Sequence, residues 1–116
     1  MEFIEAPAFT RYLSDYLDDD EYRALQKQLG LGPDVGDLIP GTGGFRKIRC
    51  ADKRRGKGRR GGLRVIYYYF AADQKIWLMT LYGKDEAADL TPKEKKALKA
   101  AIEGERKARE AARRKR

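Results

Sequence analysis

Apolar residues near the start of the chain recur with the period of amphipathic helices. One stripe, at i, i+3, i+4, i+7 and i+8, consists of Phe9, Tyr12, Leu13, Tyr16 and Leu17. After the acidic run 18–20, a second stripe consists of Tyr22, Leu25 and Leu29. This spacing places each set on one helical face, and the aspartates can cap the second helix by accepting from its free first-turn amides. The pattern predicts two N-terminal helices joined by a tight acidic turn.

The hydrophobic period changes to two from residue 45 onwards. Over 45–50, apolar and basic side chains alternate, with Ile48 and Cys50 on one side and Lys47 and Arg49 on the other. A period of two is the signature of a strand, because successive side chains point to opposite faces of a sheet. The segment therefore predicts a strand with one apolar and one cationic face.

Two longer runs predict the strands that follow. Residues 63–70 are a continuous β-branched and aromatic run, which is typical of a central strand covered on both faces. After a short turn, residues 76–82 form another such run, so the three strands are expected to make an antiparallel meander. A short strand is also expected at 3–4, and residues 34–44, which end in a cluster of glycines, are predicted to be a loop leading into the sheet.

The sequence near the C-terminus predicts the start of a helix. Thr91, Pro92 and Glu94 combine an N-cap, a proline at the first helical position and the glutamate of a capping box. The apolar stripe of this helix consists of Ala97, Leu98, Ala101 and Ile102. We therefore predict an α+β domain over residues 1–104, with two N-terminal helices packed on a twisted, mainly antiparallel sheet and a C-terminal helix. The basic segment 105–116 is either a solvated extension of that helix or a disordered tail.

Charge is distributed unevenly over the 116 residues, which carry a formal net charge of +8. Residues 1–45 hold three basic and nine acidic groups, whereas residues 46–64 hold ten basic groups and one acid. Residues 93–116 hold eleven basic and four acidic groups. Two cationic blocks on an otherwise acidic chain indicate a directional field and favour a polyanionic partner such as RNA or DNA.

The composition also excludes several classes of protein. The chain has no histidine and one cysteine, Cys50, which excludes a Ser-His-Asp or Cys-His catalytic group and a zinc site. A single cysteine forms no internal disulfide, in agreement with a reducing cytoplasm. No apolar run approaches the ~20 residues of a membrane helix, and no secretory signal is expected. A cytoplasmic protein without a membrane-spanning helix or a zinc site is the expectation.

Five side chains on the predicted meander are the candidate site. Antiparallel pairing brings the start of one strand beside the end of the next, so one rim of the sheet is expected to collect Lys47, Arg49, Arg64, Tyr82 and Lys84. Further phosphate contacts are expected from Arg46, Lys57, Arg59 and Arg60 in and beside the glycine-arginine loop. The alternative interpretation is a solvated, charged edge that blunts sheet-to-sheet association.

Arg64 is the hardest of these residues to explain structurally. It is the only charge in an otherwise apolar strand, and a buried cation needs a compensating anion. A substrate phosphate would supply one, as would an acid such as Glu2 or Asp85.

This set of residue types can cleave RNA without histidine. RNA carries its own nucleophile, the 2′-hydroxyl, so the protein must supply a base, an acid and charge stabilisation at phosphorus. Lysine and tyrosine have ordinary pKa values near ~10, and neighbouring cations are expected to lower both pKa values towards the useful range. Arginine clamps phosphate oxygens in bidentate fashion. A plain nucleic-acid-binding module without turnover is the alternative from a different functional class.

The order of elements, together with four sequence motifs, resembles the RelE/ParE superfamily of bacterial toxins and above all its HigB-type branch. The resemblance covers about residues 3–103. The motifs that carry it are Gly-Thr-Gly-Gly-Phe-Arg-Lys-Ile-Arg at 41–49, Gly-Gly-Leu-Arg-Val-Ile-Tyr-Tyr-Tyr-Phe at 61–70, Leu-Tyr-Gly-Lys-Asp-Glu at 81–86 and Asp-Leu-Thr-Pro at 89–92.

The resemblance implies a ribosome-dependent endoribonuclease that cleaves mRNA in the ribosomal A site without metal or cofactor. It also implies a cognate antitoxin, here a helix-turn-helix protein, with operator DNA bound only through the toxin–antitoxin complex. Positions matching Lys47, Arg49 and Arg64 contact or act on the scissile phosphate in that family. Because this sequence lacks the histidines of part of the branch, the general base stays open among Lys84, Lys47 and Tyr82. A ParE-like toxin that poisons DNA gyrase is the alternative within the superfamily.

Overall fold

Three helices and five strands make up the regular structure of the part of the chain that this computed structural model describes, residues 1–51, 62–84 and 89–114. The helices are α1 (Pro7–Tyr16), α2 (Asp19–Leu31) and α3 (Pro92–Arg114). The strands are β1 (Glu2–Glu5), β2 (Asp37–Leu38), β3 (Arg46–Cys50), β4 (Leu63–Phe70) and β5 (Lys75–Gly83). The α+β class predicted from the sequence is confirmed.

The strands form one mixed sheet in the order β1-β5-β4-β3-β2. The meander β3-β4-β5 is antiparallel, as predicted. β1 lies parallel to β5 and pairs with its first residues, Glu2 with Lys75 through Glu5 with Leu78. The prediction of a plain loop over 34–44 is wrong at two residues, because Asp37 and Leu38 pair with the start of β3 as strand β2.

Each face of the sheet carries its own apolar core. Helices α1 and α2 and the residue that caps the end of α1 form a core with one face of β3, β4 and β5, to which they contribute Phe9, Tyr16, Leu17, Leu25 and Leu29. Helix α3 contributes Leu98 and Ile102 to a second core on the opposite face, with Phe45 and Ile66 at its centre. Strand β4 is therefore covered on both sides, which explains why its sequence is a continuous apolar run rather than an alternating one.

Both predicted helix starts are capped: the capping box predicted at Thr91 is present, and the capping by aspartate expected at α2 takes the form of a second capping box. At α2, the Asp18 carboxylate accepts from the Glu21 amide at 2.7 Å, and the Glu21 carboxylate accepts from the Asp18 amide. At α3, Thr91 and Glu94 make the same reciprocal pair. These bonds satisfy first-turn amides that have no partner within the helix.

The basic C-terminal segment is helical as far as the structure describes it, since α3 runs without a break to Arg114. The first turns of this C-terminal segment are attached to the sheet side of the molecule by two arginines. Arg106 donates to the hydroxyl of Tyr68, and Arg109 pairs with Asp73 while its guanidinium lies 3.9 Å from the centre of the Phe70 ring. Of the two alternatives that the sequence left open, the helix extension is the one observed over 105–114.

Tyr67 ties the loop after α2 to the sheet through its hydroxyl. That hydroxyl accepts from the Gly36 amide at 2.9 Å and donates to the Pro33 carbonyl at 2.8 Å. We expect Tyr67→Phe to lower the free energy of unfolding by about 1–3 kcal/mol, because a buried N–H loses its partner. Urea denaturation measures this loss. The matched control is Tyr69→Phe on the same strand, which should change stability by less than ~0.5 kcal/mol; equal losses would contradict the assignment.

Gly43 permits the close approach of the 41–44 turn to α3. Its φ is +79°, and an added Cβ would lie 3.0 Å from Ile102 Cγ2. We expect Gly43→Ala to destabilise the fold by about 1–3 kcal/mol, because alanine is strained at positive φ and is crowded there. Gly104 lies inside α3 with nothing within 4 Å of an added Cβ, so Gly104→Ala should stabilise by about 1 kcal/mol. Thermal melts of the pair should therefore shift in opposite directions.

Candidate functional site

Three predicted site residues form one row across the sheet. Arg49 on β3 is paired with Arg64 on β4, and Arg64 is paired with Tyr82 on β5. Because directly opposite residues in antiparallel strands share a face and lie ~4.5–5.5 Å apart at Cβ, the three side chains belong to one surface. This row lies on the face that α3 partly covers. The sequence-based prediction that Arg64 and Tyr82 meet at one rim is confirmed by this register.

Arg64 is buried, and within the described part of the chain one of its outer guanidinium nitrogens, Nη1, has no hydrogen-bond partner. The residue is only 5% exposed, and its Nη1 atom makes no hydrogen bond with the described residues. Glu2, considered above as its counter-ion, instead lies 3.7 Å from Lys75 at the other end of β5; that interpretation is wrong. Asp85 lies outside the described residues. A buried, underpaired guanidinium destabilises a fold, so its presence calls for a functional explanation.

Tyr82 is the second unsatisfied group of the row, since its buried hydroxyl also has no hydrogen-bond partner in the described structure. Burial raises the pKa of Tyr82, and the carboxylates of Asp89 and Glu94 add to this effect and outweigh the opposing influence of Arg64. The expectation that surrounding cations would favour the phenolate is therefore wrong. The physical reasons are the burial of the Tyr82 hydroxyl and, after it, the proximity of Asp89 and Glu94, which the sequence does not reveal as neighbours of Tyr82. At neutral pH this hydroxyl is protonated and can donate.

Lys47 lies on the same face as Arg49, two residues earlier on β3, as predicted from the alternation. Its Nζ atom lies 3.9 Å from Oδ1 of Asp89, and its side chain is 22% exposed. Lys47 is thus held at the rim of the row by a carboxylate rather than surrounded only by cations.

The remaining predicted residues do not all join this surface. Arg46 is paired with Tyr67, which places it on the opposite face, and its guanidinium donates to the carbonyls of Asp34 and Gly36. It holds the loop before β3 and does not lie with the row. Lys84 is exposed just after β5, where its amide donates to the Gly62 carbonyl at 3.0 Å. The predicted RNA contacts at Lys57, Arg59 and Arg60 lie outside the described residues.

Asp89 is a site residue that sequence reasoning did not single out. Its carboxylate accepts from the Leu90 amide at 2.8 Å. That hydrogen bond, with added attraction from Lys47 and Lys95, lowers the pKa of Asp89. The available signal was an acid two residues before the N-cap Thr91 of a predicted helix, but only the tertiary fold brings it to Lys47 and Tyr82.

The row and its rim combine the parts that in-line phosphoryl chemistry needs. Two arginines can contact non-bridging phosphate oxygens, Tyr82 can donate a proton or a hydrogen bond, and Lys47 lies at the border. Within the described residues, no group of three or more histidine, cysteine, aspartate or glutamate side chains is arranged to hold a metal ion.

Comparison of the sequence with protein-family models gives no family assignment. In the described part of the chain, no helix has the length and apolar character needed to cross a bilayer. No protein-family model matches the sequence. Any function must therefore be argued from the row itself.

Proposed function

We propose that this protein is a ribosome-dependent endoribonuclease toxin that cleaves mRNA in the ribosomal A site. The observation that carries the proposal is the buried Arg64 guanidinium, whose Nη1 has no hydrogen-bond partner among the described residues, beside the buried hydroxyl of Tyr82, which has none there either. A buried cation and a buried hydrogen-bond donor that lack partners are the groups that an anionic ligand would satisfy on binding. An RNA phosphate has the charge and the oxygen geometry to satisfy both groups at once.

In the proposed reaction the 2′-oxygen of the RNA attacks the adjacent phosphorus as the bond from phosphorus to the 5′-oxygen breaks. The 2′-hydroxyl proton passes to a base, and the leaving 5′-oxygen takes up a proton. The products are a 2′,3′-cyclic phosphate and a 5′-hydroxyl end. Arg64 and Arg49 stabilise the negative charge that develops on the non-bridging oxygens.

The protonated state of Tyr82 assigns it a role on the donor side of this reaction. With its pKa raised by burial, Tyr82 donates to a phosphate oxygen or to the leaving group. The base is then one of the two lysines, Lys47 at the rim or Lys84 after β5. Lys47 is favoured by position, because it shares the face of the row.

The architecture supports the same proposal at a coarser level. A mixed sheet with α1 and α2 on one face and α3 on the other is compatible with the RelE-like fold implied by the sequence motifs. Under this proposal the protein acts in the cytoplasm on mRNA and the ribosome, and a cognate helix-turn-helix antitoxin neutralises it. Operator DNA would be bound only through the complex of the two.

The test is cleavage of a defined mRNA on programmed ribosomes by the purified full chain, with the new 5′ ends mapped by primer extension. We expect cuts within the A-site codon, ends bearing a 5′-hydroxyl, and no cutting of the same mRNA free in solution. Inhibition of gyrase supercoiling without mRNA cleavage would instead identify a ParE-like toxin. Salt-dependent RNA binding with no turnover would identify a binding module. Either result overturns the proposal.

A further inference from the structure

A small cavity opens beside the row, along the outer edge of β5. Strand β1 pairs with β5 only as far as Leu78, so the following residues of that edge have no strand partner in the described structure. Helix α1 and the segment leading into α3 flank the gap. The cavity measures about 210 Å³, which is below the ~300–1,000 Å³ typical of pockets for drug-sized ligands. It suits a single planar ring system.

The charge of the cavity is opposite to that of the row. Asp89 and Glu94 contribute carboxylates to its wall, and no lysine or arginine lines it among the described residues. Tyr82 belongs both to the cavity wall and to the row with Arg64 and Arg49. A ligand that fills both places is therefore expected to be anionic at one end, and to carry N–H donors and no negative charge at the other.

Tyrosines supply the remaining chemistry of the cavity. Tyr12 and Tyr16 of α1 line it together with Tyr82 and Leu90. Sequence periodicity predicted Tyr12 for the apolar stripe of α1, but its side chain is 40% exposed. The Arg11 guanidinium lies 5.4 Å from the centre of the Tyr12 ring, and the part of the ring that is exposed at the mouth of the cavity is a surface on which a base can stack, as unpaired RNA bases do on aromatic side chains of proteins.

We propose that this cavity is a nucleobase pocket that holds the base next to the phosphate bound at Arg64, and that it prefers guanine. The Watson–Crick edge of guanine presents the N1–H and N2–H₂ donors, which the Asp89 and Glu94 carboxylates can accept. Uracil presents two carbonyl oxygens flanking one N–H, so the same carboxylates repel it. Adenine and cytosine each offer one amino group and are expected to bind with intermediate affinity.

This inference rests on the proposed function for its biological meaning but is tested first without catalysis. The probes are guanosine 3′-monophosphate and uridine 3′-monophosphate, titrated into the full chain and followed by NMR chemical shifts. We expect the guanine nucleotide to bind roughly tenfold more tightly than the uracil nucleotide. This ratio of dissociation constants corresponds to the net free energy of about one or two additional hydrogen bonds. Tyr12→Ala should weaken binding of both nucleotides by at least about fivefold, as expected for the loss of one base–aromatic stack.

Two further variants separate stacking from edge recognition. Tyr12→Phe keeps the ring and should bind like wild type. Glu94→Gln keeps the capping box, since glutamine also serves at that position, but should reduce the preference for guanine over uracil. Leu38→Ala, at an exposed position on β2 away from the cavity, is the control variant and should bind both nucleotides like wild type. Equal binding of the two nucleotides, no binding of either, or unchanged binding by Tyr12→Ala would each overturn the pocket.

Codon preference then links the pocket to the reaction. Cuts by wild type on programmed ribosomes should favour codons with guanine at one fixed position, and Tyr12→Ala should lose that preference. Cleavage that depends on Arg64 but shows no base preference would overturn the pocket and leave the proposed function intact. Guanine binding that depends on Tyr12, without ribosomal cleavage, would support the pocket and overturn the proposed function.

Discussion

Replacing Arg64 with methionine is expected to lower mRNA cleavage on programmed ribosomes by at least about 10²–10³-fold, the effect of removing one preorganised group that stabilises transition-state charge. Methionine is chosen because it occupies a similar volume without the charge. Arg64 is 5% exposed, and its Nη1 is unpaired within the described structure, so the side chain already opposes folding. The free energy of unfolding of Arg64→Met should therefore equal or exceed that of wild type.

The opposite combination of results would show that Arg64 serves the fold instead. If Arg64→Met loses several kcal/mol of stability in urea while the folded fraction still cleaves mRNA, Arg64 has no place in the mechanism. The matched control is Arg46→Met, because Arg46 lies three residues before Arg49 on β3 but faces away from the row and binds loop carbonyls. It should lose stability and retain cleavage per folded molecule.

Truncation of Ile102 to alanine is expected to lower the free energy of unfolding by about 2–5 kcal/mol. Ile102 is fully buried, and only Ile102 and Leu98 are buried among the residues of α3. Loss of this anchor should loosen the whole helix from the sheet. Urea denaturation measures the effect, with Leu31→Ala as the control, because Leu31 is 81% exposed and its truncation should cost less than ~0.5 kcal/mol.

The Ile102→Ala variant also tests whether the attachment of α3 to the sheet positions the residues of the row. The segment from Asp89 to the capping box of α3 contacts the rim at Lys47. Ile102→Ala should therefore reduce cleavage even under conditions where the protein is still folded, as judged by far-UV circular dichroism. Full activity of the folded variant would show that the attachment of α3 beyond its first turn does not matter to the row.

The features predicted correctly from the sequence are those set by local patterns. Capping by an aspartate at Asp18 and the capping box at Thr91 depend on residues three positions apart, and the meander follows from three adjacent runs with short or polar connections. The pairing of β1 and the existence of β2 were harder to predict from the sequence. The parallel partner of β1 begins at Lys75, far along the chain, and β2 is a two-residue pairing inside a glycine-rich segment. The hydrophobic periodicity of a segment carries little information about which distant segment it pairs with.

The candidate site shows the same division. The alternation on β3 and the isolated charge on β4 were enough to predict that Lys47, Arg49 and Arg64 share a surface. The raised pKa of Tyr82 was not predictable, because it follows from burial and from the approach of Asp89 and Glu94. Nor was the cavity, whose walls come from α1, β5 and the start of α3. Both depend on which distant segments meet.

The direction of β1 and α3 has a practical consequence for any surface-based experiment. Met1 immediately precedes β1, whose Glu2 amide donates to the Gln74 carbonyl, and the far turns of α3 lie against Asp73. Tyr82 lies seven residues after Lys75, the first residue of β5, which is roughly 23 Å at ~3.3 Å per residue. A sensor chip, fluorophore or optical-trap handle attached at Met1 or near Arg109 would therefore leave the opposite end of β5, with Tyr82 and Arg64, free for binding measurements.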